Sequence, residues 1–175
     1  MVDQNDLTDF NEAVLPHLDT AYNLARWLTR NDQDAEDVVQ EASLRAFKYW
    51  KGFSGRDCRS WLLAIVRNTY YSWIRKQAAQ PELTEGGELD DVDEGIPSPE
   101  TAVLQNAGRE MLRAALEDLP VEFREAIVLR ELEGMSYKEI ADIAAVPIGT
   151  VMSRLARARK RLQIYLTNSA GQKTI

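Results

Sequence analysis

The sequence has very few residues of the kinds that hold metals or covalent cross-links. It contains one cysteine, Cys58, and one histidine, His17. A single cysteine excludes an internal disulfide framework, and one cysteine with one histidine cannot form a Cys/His zinc site. We therefore expect a reducing compartment, no bound metal and no cofactor. Cys58 is open to two interpretations, a thiol sensor or an incidental thiol, of which the second is the more common for a single thiol in a basic loop.

Long apolar runs are also missing. No stretch approaches the roughly 20 apolar residues that cross a bilayer, and the N-terminus shows no basic-then-apolar signal pattern. We expect a soluble, cytoplasmic protein that does not insert into a membrane. The 175 residues, of which 45% are hydrophobic, are enough for one or two compact domains.

Recognisable catalytic motifs are lacking. The sequence has no G-x-x-x-x-G-K-[ST] loop and no H-E-x-x-H pair, and His17 lies in a predicted helix among apolar residues, without a plausible Ser or Cys partner. Carboxylate-only catalysis stays open, but Asp90, Asp91 and Asp93 fall in an acidic stretch where we expect them to be solvated. We predict no catalytic residues.

Charge is distributed in alternating blocks, although the net charge is −7. Residues 1–41 hold ten acids and two bases, and residues 42–77 hold one acid and eight bases. Residues 78–108 hold eight acids and no base, and residues 109–175 hold nine acids and eleven bases. Two separate basic blocks indicate two surfaces for a polyanion, with a merely solvated charged face as the alternative.

Apolar residues recur at the helical spacing of three or four positions through most of the chain, with no alternation that favours a sheet. The pattern predicts helices over residues 13–30 (interrupted near Pro16), 34–50 with Asp34 as N-cap, 60–77, 99–119, 121–132, 137–144 and from 147 or 148 onward. The stretch between residues 79 and 100 is rich in acids, glycine and proline and predicts a flexible linker. The predicted fold is all-α, with two small helical domains, residues 1–78 and 101–175, joined by this acidic linker.

The last two helices have the outline of a DNA-binding helix-turn-helix. Ser136 and Glu139 form an S-x-x-E capping box that opens the first helix, and the turn "AVP" leads into a basic second helix. Its predicted inner stripe consists of Ile148, Val151, Leu155, Ala158 and Leu162. The opposite face is small at its N-terminal end and basic beyond it, which suits a helix that enters the major groove N-terminus first.

The other basic block interleaves aromatic and cationic side chains. The residues are Trp61, Tyr70, Tyr71 and Trp73 with Arg59, Arg67, Arg75 and Lys76. Aromatic rings beside cations bind unpaired bases by stacking and by attraction of phosphates. The aromatic residues are equally compatible with an ordinary core, so this block alone leaves both interpretations open.

Three stretches together carry a family resemblance: "DAEDVVQEASLRAFKYW" (34–50), "WLLAIVRNTYYSWIRK" (61–76) and residues 119–162. They resemble bacterial sigma factors of the sigma-70 family, in the small extracytoplasmic-function (ECF) group. The resemblance implies a promoter-recognition subunit of RNA polymerase without catalytic chemistry. Its implied partners are core RNA polymerase, promoter DNA and an anti-sigma factor, and the linker would follow the active-site cleft and RNA exit path.

The resemblance also implies three functional surfaces, which we name here. The docking face, toward core polymerase, is Asp34, Asp37, Gln40, Glu41, Leu44 and Arg45. The melting segment, at the −10 element, is Phe53, Arg56, Arg59, Arg67, Asn68 and Tyr71. The recognition face, at the −35 element, is Thr150, Met152, Ser153, Arg154, Ala156, Arg157, Lys160 and Arg161.

A few positions depart from the family pattern. Ser43 stands where a large apolar residue is common, and Ala145 stands where the sharp turn often has glycine. If Ala145 is left-handed, the strain is roughly 1 kcal/mol. Met152 and Ala156 stand at positions where the family often has larger or charged side chains. The DNA sequence of the −35 element is therefore not predicted.

Two other interpretations remain at this point. An ordinary helix-turn-helix repressor or activator would bind DNA unaided, usually as a dimer on a palindrome, but it leaves the paired basic blocks unexplained. A helical adaptor or anti-regulator would not depend on DNA, so charge reversal at Arg157 would leave it unaffected.

Overall fold

The computed structural model describes residues 3–55, 57–80 and 99–171, with side chains from residue 105 onward in the last range. All regular structure in these ranges is helical, which confirms the all-α prediction. Most of the predicted linker lies outside the described residues, so the exact domain boundaries stay a prediction.

The first four helices form the N-terminal bundle. They are α1 (Gln4–Val14), α2 (Leu18–Thr29), α3 (Asp32–Tyr49) and α4 (Cys58–Ala79), with 3-10 turns at Leu15–His17 and Trp50–Gly52. Pro16 lies in the first of these turns, where the sequence predicts an interruption. The helical segment before residue 13 is not predicted by the sequence pattern.

Polar side chains cap the N-termini of α3 and α4. The side chain of Asn31 accepts a hydrogen bond from the backbone N–H of Asp34 at 2.9 Å and so caps α3. The predicted cap at Asp34 is therefore wrong, because the helix begins earlier and Asp34 is an acid of its first turn. Asp57 caps α4 by accepting from the backbone N–H of Ser60 at 3.0 Å.

Small and branched apolar side chains fill the centre of the N-terminal bundle. Its fully buried members include Leu24, Leu28, Val38, Leu62, Leu63 and Val66, and the alanines Ala21, Ala25, Ala35, Ala42 and Ala46. Each buried leucine contributes roughly 1.5–3 kcal/mol relative to an exposed one. Alanines on α2 and α3 let these two helices approach closely, which fixes the orientation of the outer side of α3.

The remaining helices form the C-terminal bundle. They are α5 (Pro99–Glu117), α6 (Val121–Ile127), which continues as a π-helical turn over Val128–Leu132, α7 (Tyr137–Ala144) and α8 (Ile148–Gly171). On α5, the helical spacing of the sequence predicts inward positions for Val103, Leu104, Ala107, Met111 and Leu112. Ala107 and Leu112 are instead exposed, whereas Ala115 and Leu116 are buried. Val103 and Leu104 lie outside the described side chains.

The predicted helix-turn-helix is present. Ser136 and Glu139 form the capping box of α7, and Ala145 ends the helix in a left-handed conformation, φ 54° and ψ 46°. The backbone N–H of Val146 closes the turn by donating to the carbonyl of Ala141 at 3.1 Å. This geometry fixes the direction in which α8 leaves the turn.

The two bundles pack against each other. Helix α2 contacts α6 and helix α4 contacts α7, and buried side chains from both bundles form one apolar cluster. Within the described ranges, no helix combines the length and the apolar character needed to span a membrane.

Candidate nucleic-acid interface

Helix α8 is anchored on one side by apolar residues and open on the other. Val151, Leu155 and Ala158 are buried against α6 and α7, and the predicted inner residue Ile148 is instead 46% exposed. Of the recognition face, the exposed residues are Met152, Ser153, Ala156, Arg157, Lys160 and Arg161, and the half-buried ones are Thr150 and Arg154. The structure therefore brings all eight predicted residues onto one side of α8.

Several residues of this face have contacts within the bundle. The Ser153 hydroxyl donates to the carbonyl of Gly149 at 3.0 Å, which leaves its oxygen free to accept. The guanidinium of Arg161 lies over the Phe123 ring, 5.4 Å from its centroid. Arg154 lines a small cleft with Glu122 and Glu125, so its charge is directed partly inward.

The predicted docking face lies on the outer side of α3. Asp37, Gln40 and Leu44 are exposed, with 69% of Leu44 accessible. The Arg45 guanidinium pairs with Glu41 one turn earlier. Burial raises the pKa of the Asp34 carboxyl above its ordinary value, and the charge of Asp37 adds to the shift. The result is an exposed leucine with a polar and charged surround.

The melting segment is divided between an aromatic cluster and α4. Phe53 stacks on Trp50 with 5.4 Å between ring centroids and lies 4.7 Å from the Trp61 ring. Trp50 in turn contacts Phe10 edge-on at 5.5 Å. These aromatic residues thus hold the loop after α3 against the bundle, and the predicted residue Arg56 lies outside the described residues.

Three other members of the melting segment contact the C-terminal bundle. Arg67 on α4 pairs through Nε with the carboxylate of Glu125 on α6, and the Tyr71 hydroxyl donates to the same carboxylate at 3.4 Å. Arg67 also lies over the Tyr71 ring, 4.6 Å from its centroid. Arg59 donates to the backbone carbonyl of Glu133.

Asn68, the last member, is exposed on α4. It borders a surface groove of about 420 Å³ whose lining is Arg67, Asn68, Tyr71, Ser72, Ile74 and Arg75. The groove has two guanidinium groups, one amide and one aromatic ring on its walls, which are the groups that bind nucleotides.

Arg124 and Glu125 are not predicted as site residues from the sequence, and they are buried with 4% and 1% of their surface exposed. Burial raises the pKa of the Glu125 carboxyl, against the opposing effect of the Arg67 guanidinium. The run "AIVL" directly after them is the available signal, because four consecutive apolar residues indicate that this part of α6 and the turn after it is enclosed on most sides.

No group of three or more His, Cys, Asp or Glu side chains among the described residues is placed to hold a metal ion.

Comparison with known proteins agrees with this arrangement. The family model for sigma-70 region 2 matches residues 13–80, and the model for sigma-70 region 4 matches residues 109–162. The ECF RNA polymerase sigma-E factor of Haemophilus influenzae is 34% identical over 93% of this chain and 89% of its own length. The chain belongs to the ECF group of the sigma-70 family.

A second relative of this sigma factor is the ECF RNA polymerase sigma factor SigE of Mycolicibacterium smegmatis. It is 35% identical over 97% of this chain, and this chain spans 66% of its length. Among solved structures, the sigma factor RpoE of Bartonella quintana, crystallised with the anti-sigma factor NepR, is 32% identical with a TM-score of 0.72. That match covers 91% of this chain and 97% of the other.

A second similar structure is CnrH in complex with the cytosolic domain of CnrY. It is 26% identical, covers 91% of this chain and 88% of its own, and has a TM-score of 0.64. The resemblance to the ECF sigma factors, drawn from the sequence, is thereby confirmed.

Proposed function

We propose that this sigma factor binds core RNA polymerase through the docking face of α3 and directs initiation at promoters with −10 and −35 elements. The observation that carries the proposal is the exposed recognition face of α8, which the capping box and the left-handed turn at Ala145 orient. The match to regions 2 and 4, in that order, supports two DNA contacts on one chain.

At the −35 element, α8 enters the major groove with its N-terminal end first. The small residues Ser153 and Ala156 permit close approach to the bases. Arg157, which is exposed one turn beyond Ser153, pairs in bidentate fashion with N7 and O6 of a guanine. Lys160 and Arg161 extend the basic surface to the phosphates, which position the helix without selecting sequence.

At the −10 element, the groove beside Asn68 accepts a base of the opened strand. Unstacking one base costs a few kcal/mol, and stacking on an aromatic side chain returns about 1–3 kcal/mol. Tyr71 offers a ring for that stacking, and Arg67 and Arg75 attract the adjacent phosphates. Phe53 and the loop after it, which includes Arg56 and Arg59, border the same path.

At the polymerase, Leu44 is the apolar centre of the docking face. A leucine with 69% of its surface accessible gains by burial against a partner. The polar rim, with Asp34, Asp37, Gln40 and the Glu41–Arg45 pair, sets orientation more than affinity.

We further propose control by an anti-sigma factor, because two solved relatives are held in complexes, RpoE with the anti-sigma factor NepR and CnrH with a cytosolic domain of CnrY. The chain itself has no catalytic activity and takes no cofactor, and it acts in the cytoplasm, where its polymerase is.

The test is run-off transcription from a randomised promoter pool, with bacterial core polymerase in the presence and absence of this protein. We expect two enriched elements at a fixed spacing, strictly dependent on the protein. If the protein adds no promoter-specific transcription to core polymerase, and the protein alone binds specific DNA duplexes, a repressor or activator is the better assignment.

A variant refines this test. Arg157→Glu is expected to abolish −35-dependent initiation and to leave core binding intact, because Arg157 is exposed on α8 of the C-terminal bundle and the docking face is on α3 of the N-terminal bundle. Arg109→Glu, a charge reversal at an exposed position on α5, is the matched control and should transcribe normally. Loss of core affinity in Arg157→Glu counts against the assignment.

A further inference from the structure

The open side of α8 has two large apolar side chains near its N-terminal end. Ile148 is 46% exposed, and Met152, one turn later, is 54% exposed. Ala156, a further turn along, is exposed as well. Each step of four residues turns about 40° around the helix axis, so these three side chains follow one edge of the helix. We name Ile148, Met152 and Ala156 the apolar edge.

The other edge of the same exposed surface is polar and mostly cationic. It lies about 100° or more around the helix from Ala156, and its members are Thr150, Arg154, Arg157 and Arg161. Arg159 follows on the side of the apolar edge, but its guanidinium donates to the Glu131 carboxylate at 2.9 Å within the bundle. The exposed surface of α8 is therefore divided lengthwise into an apolar part and a cationic part.

The surface between the two edges is low at the N-terminal end of α8. Gly149 has no side chain, and no atom packs within 4 Å of the position that a Cβ would occupy. The Ser153 hydroxyl is turned back to the carbonyl of Gly149, at 3.0 Å. Ile148 and Met152 are large side chains beside this low centre, so a base edge that approaches it meets their apolar atoms.

The apolar edge is continuous with the recognition face and lies inside the match to sigma-70 region 4. Single exposed apolar residues are ordinary on protein surfaces, but these residues occupy successive turns of the helix that is proposed to enter the major groove. In that groove, thymine presents a C5-methyl group, whereas the edges of guanine, adenine and cytosine present hydrogen-bonding groups. A polar group that loses water against Met152 without a new partner costs free energy. The apolar edge therefore favours thymine over the other bases.

We infer that the apolar edge selects thymine in the −35 element, because Met152 and Ile148 cover C5-methyl groups of its bases. The inference rests on the proposed function, since it places α8 in the major groove of that element. Arg157, on the other edge, reads guanine. The −35 element therefore contains A·T pairs as well as the G·C pair that Arg157 reads, and the two edges of one helix select them separately.

The experiment removes the methyl groups from the DNA. Promoters enriched from the randomised pool are remade with deoxyuridine in place of thymine on both strands of the upstream element. This replacement deletes the C5-methyl group and keeps O4 and the pairing face. A second set of duplexes has the replacement only between the two elements. Fluorescence anisotropy measures the affinity of the holoenzyme, formed from core polymerase and the full chain, at one fixed salt concentration.

The test variant combines Ile148→Ala with Met152→Ala. Its matched control combines Leu112→Ala with Ile164→Ala, two large apolar residues outside the recognition face that are 46% and 51% exposed. A third variant, Met152→Leu, keeps an apolar side chain of similar size. All of these side chains are exposed, so the changes leave the buried core of the bundle intact.

In the unsubstituted protein, deoxyuridine in the upstream element should weaken binding about fourfold for each methyl group that the edge covers. Deoxyuridine between the elements should leave the affinity unchanged. The ratio of thymine to deoxyuridine affinity should fall below about twofold in the test variant and persist in Met152→Leu and in the control pair. Because the ratio compares two DNAs with one protein, a general loss of folding or of polymerase binding does not alter it.

An enriched upstream element without A·T pairs would overturn the inference, as would an equal ratio in the test variant and the control pair. A test variant that binds core polymerase more weakly without DNA, at an unchanged ratio, would assign the edge to a protein contact and would overturn it too. The proposed function fails separately. A protein that directs transcription but binds thymine and deoxyuridine equally keeps the sigma role and loses the inference. If no transcription occurs, the same ratio is measured on duplexes that the protein alone retains.

Discussion

Ser136 and Glu139 cap the N-terminus of α7 reciprocally. The Ser136 hydroxyl accepts from the backbone N–H of Glu139 at 3.1 Å, and the Glu139 carboxylate accepts from the backbone N–H of Ser136 at 2.7 Å. Because α7 supports the turn into α8, this pair helps to set the direction of the recognition face.

Removing the cap should destabilise the C-terminal bundle. Ser136→Ala is expected to lower the free energy of unfolding by about 1 kcal/mol, since one N-terminal N–H loses its partner. Urea unfolding followed by circular dichroism measures this. Thr167→Ala, which removes an exposed hydroxyl bonded only within α8, should change the free energy far less, and an equal loss in both variants would contradict the role of the cap.

Ala145 holds a left-handed conformation, φ 54°, that glycine adopts without strain. Ala145→Gly is therefore expected to raise the free energy of unfolding by up to about 1 kcal/mol. The same change at Ala107, an exposed helical position on α5, should lower it by about 1 kcal/mol. Relative to the unsubstituted protein, the urea midpoint of unfolding should rise in Ala145→Gly and fall in Ala107→Gly. A fall of the midpoint in both variants would show that Ala145 is not strained.

The docking face is tested by a paired substitution on α3. Gln40→Asp with Leu44→Ala is expected to weaken core-polymerase binding by about tenfold or more, because the apolar centre and part of the polar rim are lost together. The control is Gln163→Asp with Ile164→Ala, a chemically similar pair on exposed positions of α8. Fluorescence anisotropy with labelled protein measures both, and unchanged affinity in the α3 variant would place the docking face elsewhere.

The N-cap of α4 makes stability depend on pH. Hydrogen bonds from the Ser60 hydroxyl and backbone N–H hold the pKa of Asp57 below its ordinary value. The folded carboxyl thus ionises more readily than the unfolded one, so its contribution is present above the ordinary Asp pKa, about 3.9. It is lost as the pH falls from there through the lowered folded value.

Asp57→Asn keeps a capping oxygen and removes this titration. Urea unfolding of both proteins between pH 7 and pH 3 should show the unsubstituted protein as the more stable at pH 7, with the difference shrinking below pH 4. A difference that stays constant with pH would mean that the Asp57 charge does not stabilise the fold.

Local signals in the sequence predict much of the fold. The S-x-x-E box, the short turn and the basic final helix are properties of adjacent residues, and all three are present. The start of α1 is not predictable in this way, because its polar sequence becomes helical by packing Phe10 against Phe47 and Trp50, residues distant in the chain.

In the candidate site, too, local sequence signals predict some features, and contacts between residues distant in the chain determine the others. Periodicity places Ser153 and Arg157 on the open side of α8, because Val151 and Leu155 mark the buried side. It gives no sign that Arg67 pairs with Glu125, since that contact depends on how two separately folded bundles meet. Ile148, predicted to be inward, is 46% exposed and is the first residue of α8, where the helix leaves the turn.

The central claim is that one chain reads two promoter elements with two separate surfaces. The most direct measurement is transcription from the randomised promoter pool with the unsubstituted protein, Arg157→Ala and Asn68→Ala, followed by sequencing. We predict that Arg157→Ala relaxes only the upstream element and Asn68→Ala only the downstream one, at unchanged spacing. Changes in both elements from either variant, or in neither, would contradict the account.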